Sequence, residues 1–362
     1  MENNRTAVIL LGLIVVVIAF AVMKILASFL VPLVIAMLFS FALMPISSFF
    51  SRRKIPYWLS IILMMTIFFI CILIIGFFLY SSVNTVVREF PQYFDRIETL
   101  TGKLITAIQA RVEVDISTFL SEFDWISPIQ SALLSVSGGS VDFVKSLGVV
   151  IIFLLFFLIE SPLFQKTIRK AFPRETSYRL IRVYMHVVRD IGRYLGLKLL
   201  ISLVTGILVF GSLSLIGLDF AFIWGVLAFF LNFIPSIGSI ISMAVTILMG
   251  IVQFYPSAGK IFLVAFAMIS IQVVMGNILD PRLSGKRLKL SPLLILLSLF
   301  LWGWIWGIAG MFLAVPLLSV IKILCENIPQ LKPVAVVLEN GRGEGIHKKN
   351  RDGNKPKLES RA

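Results

Sequence analysis

Residues 220–259 read FAFIWGVLAFFLNFIPSIGSIISMAVTILMGIVQFYPSAG, an apolar stretch with no Asp, Glu, Lys or Arg, broken at Pro235 and Pro256. How this stretch is threaded decides the fold, and the chain on either side supplies the constraints. Of 362 residues, 58% are hydrophobic and only 14% charged, more apolar side chain than a water-soluble core absorbs. Further uncharged runs occupy residues 6–23, 25–51, 55–87, 199–218, 261–279 and 290–321. Each approaches or exceeds the roughly 20 residues that cross a bilayer. A shorter run, 146–159, lies between Lys145 and Glu160, whose long side chains reach the interface and extend it to a span. The fold class expected is all-α, a polytopic transmembrane helical bundle of about eight membrane segments.

Short cytoplasmic loops are enriched in Lys and Arg, so the basic residues orient the bundle. Arg52-Arg53-Lys54 places the loop after the second span inside, and with it the N-terminus. The third span, 58–82, then exits. It leaves residues 88–142 outside, with 4 basic against 8 acidic side chains. A fourth span over 145–163 returns to residues 165–198, which carry 9 basic and 2 acidic residues. The fifth, 199–218, exits again. The loop with Arg282, Lys286, Arg287 and Lys289 and the tail from Glu326 are basic and belong inside. Residues 7–18 followed by Ala19-Phe20-Ala21 imitate a signal peptide, but the stretch runs on to Met23 and resumes after Lys24, so an uncleaved first span is expected.

Between Leu218 outside and Asp280 inside the chain crosses an odd number of times, yet it holds two long apolar stretches. A hairpin resolves the parity. Residues 220–234 enter, the chain turns at Pro235-Ser236-Ile237-Gly238, residues 239–254 climb back, and 259–279 spans inward. The run 290–321 has basic residues at both ends and must double back as well, with Trp302-Gly303-Trp304 the expected turn. Its first arm, about 12 residues, covers some 18 Å and reads as re-entrant. Two hairpins from opposite sides suggest an inverted repeat around a midplane site.

The domain organisation expected is N-terminal spans over 1–82, an extracytoplasmic helical segment over 83–142, a span over 143–164, a basic amphipathic helix over 165–198, a core with both hairpins over 199–325, and a basic disordered tail over 326–362. Residues 174–197 carry Leu180, Tyr184, Val187, Ile191 and Leu195 at helical spacing. Such a helix lies at the interface or packs on the bundle.

Polar groups inside apolar runs are expensive at membrane depth and are the first place to look for chemistry. Asn232, Pro235, Ser236, Gly238 and Ser239 have the composition of a broken-helix binding site. Pro235 frees a carbonyl a turn earlier, Gly238 permits a tight return, and the Asn and Ser side chains supply donors and acceptors. The structural alternative is that they only satisfy the freed backbone. Gln272, Asn277, Asp280, Pro281, Arg282 and Gly285 form a second cluster. There Asp280 either pairs with Arg282 or takes a proton or cation, and Glu160 beside Ser161-Pro162 is a further candidate for ion coupling. Gly303, Gly307, Gly310 and Pro316 are small or helix-breaking residues suited to hairpin packing.

Cys71 and Cys325 lie in or at the end of apolar runs, and His186 and His347 lack partners at ligand spacing. No metal site, disulfide framework or cofactor is expected. No Ser-His-Asp set, HExxH helix or GxxxxGK[ST] loop occurs, and an enzyme is not expected. The net charge of +14 sits between spans and in the tail, as juxtamembrane charge does, so nucleic acid is not an expected partner.

Leu218-Asp219-Phe220-Ala221-Phe222-Ile223-Trp224-Gly225, continuing through Asn232-Phe233-Ile234-Pro235 to Gly238, resembles the central motif of the AI-2E (autoinducer-2 exporter) family. So do Asn277-Ile278-Leu279-Asp280-Pro281-Arg282, Gly285-Lys286, Leu290-Ser291-Pro292-Leu293 and the Gly-rich run to Pro316-Leu317. The similarity covers nearly the whole chain to Ile321. It implies a multi-pass inner-membrane protein with both termini cytoplasmic that exports a small polar solute such as autoinducer-2, a quorum-sensing signal. Sodium(cation)/proton antiport is the alternative the resemblance carries. Membrane lipid, the solute, protons or sodium, and a homo-oligomeric partner are the associated expectations. Asp280 departs from the family pattern, where the position before Pro281 is often apolar, and the family brings no catalytic residues with it.

Overall fold

A computed structural model describes residues 2–89, 91–109, 140–280, 282 and 290–338. Residues 110–139 of the segment expected to be extracytoplasmic, Pro281, Gly285, the basic loop residues 286–289 and residues 339–362 of the tail expected to be disordered lie outside the described residues. Helices α1 (Glu2–Ile25) and α2 (Ala27–Arg52) follow one another with only Leu26 between them. Next come α3 (Tyr57–Glu89), α4 (Pro91–Gln109), α5 (Ser140–Ala171) and α6 (Arg174–Ile216). The second half holds α7 (Ala221–Leu231), α8 (Ile237–Phe254) and α9 (Ala258–Gln272), the last prolonged by a π-helical turn, Val273–Leu279. Helix α10 (Pro292–Asn327) and, after a 3-10 turn, α11 (Lys332–Leu338) complete the described chain, and no strand occurs among the described residues.

Among the described residues, seven helices are long and apolar enough to cross a membrane. Their outward faces carry large apolar side chains such as Phe156, Leu215, Phe262 and Phe266 in exposed positions. Each would cost about 1.5–3 kcal/mol left in water, and lipid removes that cost. The chain is an all-α, multi-pass helical bundle.

Helix α6 is its axis. At 43 residues it joins the amphipathic segment and the fifth span in one unbroken helix. Its lower stripe, Val187 and Ile191, packs with Leu38 and Phe41 of α2 and Leu313 and Ile323 of α10. Its upper stripe, Val209 and Leu213, packs with Ala221 and Ala228 of α7, Met249 of α8, and Val264 and Met268 of α9. Helices α2, α3 and α5 form a separate apolar cluster around Met64, Leu154 and Leu158.

Both hairpins are present. Helix α7 has 11 residues, about 16 Å of helix, half of a ~30 Å hydrocarbon core. The chain then reverses through residues 232–236 into α8. The second reversal differs from the Trp302-Gly303-Trp304 turn the sequence suggests. It falls at Gly307, whose φ of 62° and ψ of −143° are non-helical, a region open in practice to glycine alone. The tryptophans stay helical on the first arm, where the Trp302 and Trp306 rings pack at 4.8 Å. The arms run antiparallel, with Ser298 Oγ donating to the Ala314 carbonyl (3.0 Å).

A polar cap closes the end of the bundle opposite the basic loops. Tyr93 of α4 donates to the Asp219 carboxylate. The Asp219 N–H donates to Gln253 Oε1 (2.8 Å), and Gln253 Nε2 donates to the Gly217 carbonyl (3.0 Å). The α6–α7 loop is thereby tied to α4 and to the end of α8.

Candidate functional site

The first hairpin is set against α6 by two glycines. A Cβ on Gly206 would lie 2.8 Å from the Gly225 carbonyl oxygen, and one on Gly225 would lie 2.8 Å from that of Gly206. Only glycine at both positions lets the backbones of α6 and α7 approach this closely. At the tip, Ser236 takes a positive φ of 60° and the Ile237 N–H donates to the Pro235 carbonyl (2.6 Å). Gly238 sits where any side chain would overlap the Leu231 carbonyl oxygen. These are the residues that make the reversal tight.

The tip delivers Asn232 into the bundle. It is 5% exposed, and its Nδ2 donates to Ser202 Oγ on α6 over 2.9 Å. Beside it lies a small cavity of about 10 Å³ walled by Thr205, Val209, Ala228, Asn232, Ser239, Ser242, Met243, Met268, Ile271 and Gln272. Five of these side chains carry oxygen. That volume admits about one water molecule. The donors already committed point elsewhere: Asn232 Nδ2 to Ser202, and the Thr205 hydroxyl to the Ile201 carbonyl (2.8 Å). Ser242 Oγ, buried at 4% exposure, has no hydrogen-bond partner. Such a group costs about 1–3 kcal/mol when left unmade. The wall is thus rich in acceptors and holds one unsatisfied hydroxyl.

Gln272 reaches this wall from the last α-helical turn of α9. A Cβ on Gly276 would overlap its Nε2 atom, so glycine clears the space the amide occupies. The helix widens into its π-helical turn immediately afterwards, at Val273. Asp280 comes directly after that turn, and its carboxylate meets Lys198 Nζ of α6 at 2.7 Å. Sequence proximity points to Arg282 as the partner of Asp280; the structure places the ammonium of a buried lysine from another helix there, and Arg282 is exposed.

The second hairpin leans on the first. Ile234 is buried among Leu299, Trp302, Ile305 and Ala314, and the Phe233 ring stacks on Phe312 at 5.4 Å. Gly310 accommodates the Trp302 carbonyl and Gly303 the Met311 side chain, so these glycines serve the closeness of the hairpin's own arms. Pro316 is buried in the second arm. The tip hangs from the α1–α2 junction, where Trp306 Nε1 donates to the Met23 carbonyl (3.0 Å) and Lys24 lies 4.4 Å over the Trp304 ring.

Of the residues that the sequence points to, Asn232, Ser239 and Gln272 line one cavity, and Pro235, Ser236 and Gly238 shape the turn beside it. Asn277 is exposed on the π-helical turn, and Glu160 is exposed on α5, outside the cavity wall. Ser202, Thr205, Ser242 and Lys198 escape a reading of the sequence by composition. Lys198, Ser202 and Thr205 stand at i, i+4 and i+7, one face of α6, and that spacing is the signal that identifies them.

The profile of the AI-2E family transporter matches residues 13–330. A protein of Borreliella burgdorferi is 34% identical over 90% of this chain and 89% of its own length. One of Haemophilus influenzae is 33% identical over 93% and 98%. Their names mark them as transport proteins without a stated cargo. The AI-2 transport protein TqsA of Escherichia coli is 30% identical over 93% of this chain and 96% of its own. A match of this extent, on a helical bundle with two broken hairpins, shows that the chain belongs to the AI-2E transporter family.

Proposed function

We propose that this protein is a secondary transporter that exports a small polar solute across the inner membrane, with the cavity at Asn232 as its binding site. One arrangement carries this reading. A broken helix brings a buried amide about halfway into the bilayer, beside hydroxyl and amide groups that leave a void in an otherwise apolar bundle. Polar groups at that depth are costly and mark solute pathways, and half-helices meeting near the midplane are how many carriers bind cargo. Autoinducer-2 is the first cargo to test, because TqsA is named for its transport. A void of about 10 Å³ is closed to any organic solute, so loading requires the hairpin tips to part from α6 and α9. The basic loops support an orientation with both termini in the cytoplasm.

Sodium(cation)/proton antiport is the second reading, favoured by the acceptor-rich wall. With the Asn232 amide and the Thr205 hydroxyl already donating elsewhere, the oxygen lone pairs left over suit a single dehydrated cation, and Asp280 is the ionisable group for coupling.

Counterflow of labelled autoinducer-2 in proteoliposomes, alongside sodium movement under an imposed pH gradient, separates the two. The expected result is solute counterflow that falls at least about tenfold, ~1.4 kcal/mol, in Asn232→Ala at unchanged expression. Equal loss of expression and counterflow would reduce Asn232 to a packing residue; sodium movement without counterflow would install the second reading.

A further inference from the structure

The Lys198–Asp280 pair joins two of the elements that wall the cavity, α6 and, through its π-helical extension, α9. On α6, Lys198 stands one turn from Ser202, the acceptor of the Asn232 amide, and Thr205 lines the cavity one turn further on. On α9, Gln272 lines the cavity, and Asp280 lies beyond it across the π-helical turn. The pair therefore lies on the side of the cavity that faces the basic loops. Lys198 is 5% exposed and Asp280 24%, so a buried ammonium joins α6 to the half-buried carboxylate at the end of the π-helical turn. A π-helical turn carries one extra residue per turn and is frequent at functional sites. Its conversion to α-helix shifts the residues downstream by one position, about 100° of rotation and ~1.5 Å along the axis. That rotation takes Asp280 away from Lys198 while leaving Gln272 in place.

We propose that Lys198 is a positioning residue of the transport site: its bond to Asp280 seals the cavity from the basic face, and relaxation of the π-helical turn breaks the seal. This rests on the reading of the Asn232 cavity as the transport site. Neither residue has to touch the solute.

The test uses the full chain with Cys71→Ser and Cys325→Ser, carrying Ser242→Cys as a reporter in the cavity wall. A membrane-impermeant thiosulfonate is added from either face of oriented vesicles, and the labelling rate is read. Slow labelling is expected in the parent. From the face bearing Arg53 and Lys54, Lys198→Met and Asp280→Asn raise the rate at least about tenfold, ~1.4 kcal/mol, and the opposite face stays unchanged. The exchanged pair, Lys198→Asp with Asp280→Lys, returns the rate to within about twofold, ~0.4 kcal/mol. Unchanged rates in both single variants overturn the proposal, as does an equal rise from both faces, which would mean general loosening. Should Lys198→Met not fold, Asp280→Asn and the exchanged pair decide the matter alone. Face-selective labelling together with intact transport in Asn232→Ala would keep the seal and remove the solute site; the converse result would do the opposite.

Discussion

The Asn232 side-chain amide donates to the Ser202 hydroxyl over 2.9 Å, and both residues are buried. This one bond fastens the tip of a half-length helix to the middle of α6. Polar bonds between membrane helices average near 0.6 kcal/mol, with a maximum of about 1.7. A double-mutant cycle of Ser202→Ala and Asn232→Ala, read by thermal unfolding in detergent, is expected to give a coupling in that range. A coupling of zero would mean that the tip is held by apolar packing alone.

Ser242→Ala removes a buried hydroxyl that has no partner. The stability of the empty protein is expected to hold or to rise by about 1 kcal/mol, while counterflow falls. Stability gained with function lost is the signature of a group kept for its ligand. A variant losing both would show the hydroxyl to be satisfied by structural water.

Gly225→Ala and Gly206→Ala each push a methyl group to 2.8 Å from a backbone oxygen of the facing helix. Backbone cannot swing aside as a side-chain tip does. A loss of roughly 1–3 kcal/mol is expected for each. Gly211→Ala, on the same helix with open space around it, is the control and is expected to gain about 0.5–1 kcal/mol. Similar melting temperatures for all three would contradict the close crossing.

Gly307→Ala places a side chain at a backbone conformation that only glycine adopts freely. A cost of about 1–3 kcal/mol is expected. Gly307→Asn is expected to rescue little, because ψ lies far from the left-handed helical region that Asn tolerates. Full stability of either variant would mean that the reversal had moved to another residue.

The hairpin over 220–254 is legible in the sequence because Pro235, Ser236 and Gly238 are local signals, and the reversal needs each of them where it stands. The second reversal lies four residues beyond the expected Gly303 for a related reason: Gly303 and Gly307 are equally glycine in the sequence, and the contacts between the arms, Ser298 on Ala314 and Gly310 under the Trp302 carbonyl, go with a turn at the latter. The junction between the amphipathic segment and the fifth span leaves no mark, since helix periodicity continues through Lys198. That same continuity hides the lysine, whose charge reads as a loop residue until α9 brings Asp280 against it. The π-helical turn has no composition of its own; it stands between Gln272, which lines the cavity, and Asp280, which meets Lys198 of α6.

The Trp306 indole is bound to the Met23 carbonyl, 283 positions earlier. At synthesis rates of roughly 5–20 residues per second, the receiving carbonyl leaves the ribosome some ~15–60 s before its donor. For that interval the nascent amino-terminal helices wait in the bilayer with an unfilled berth, and insertion factors or lipid must shelter it until the last hairpin is delivered.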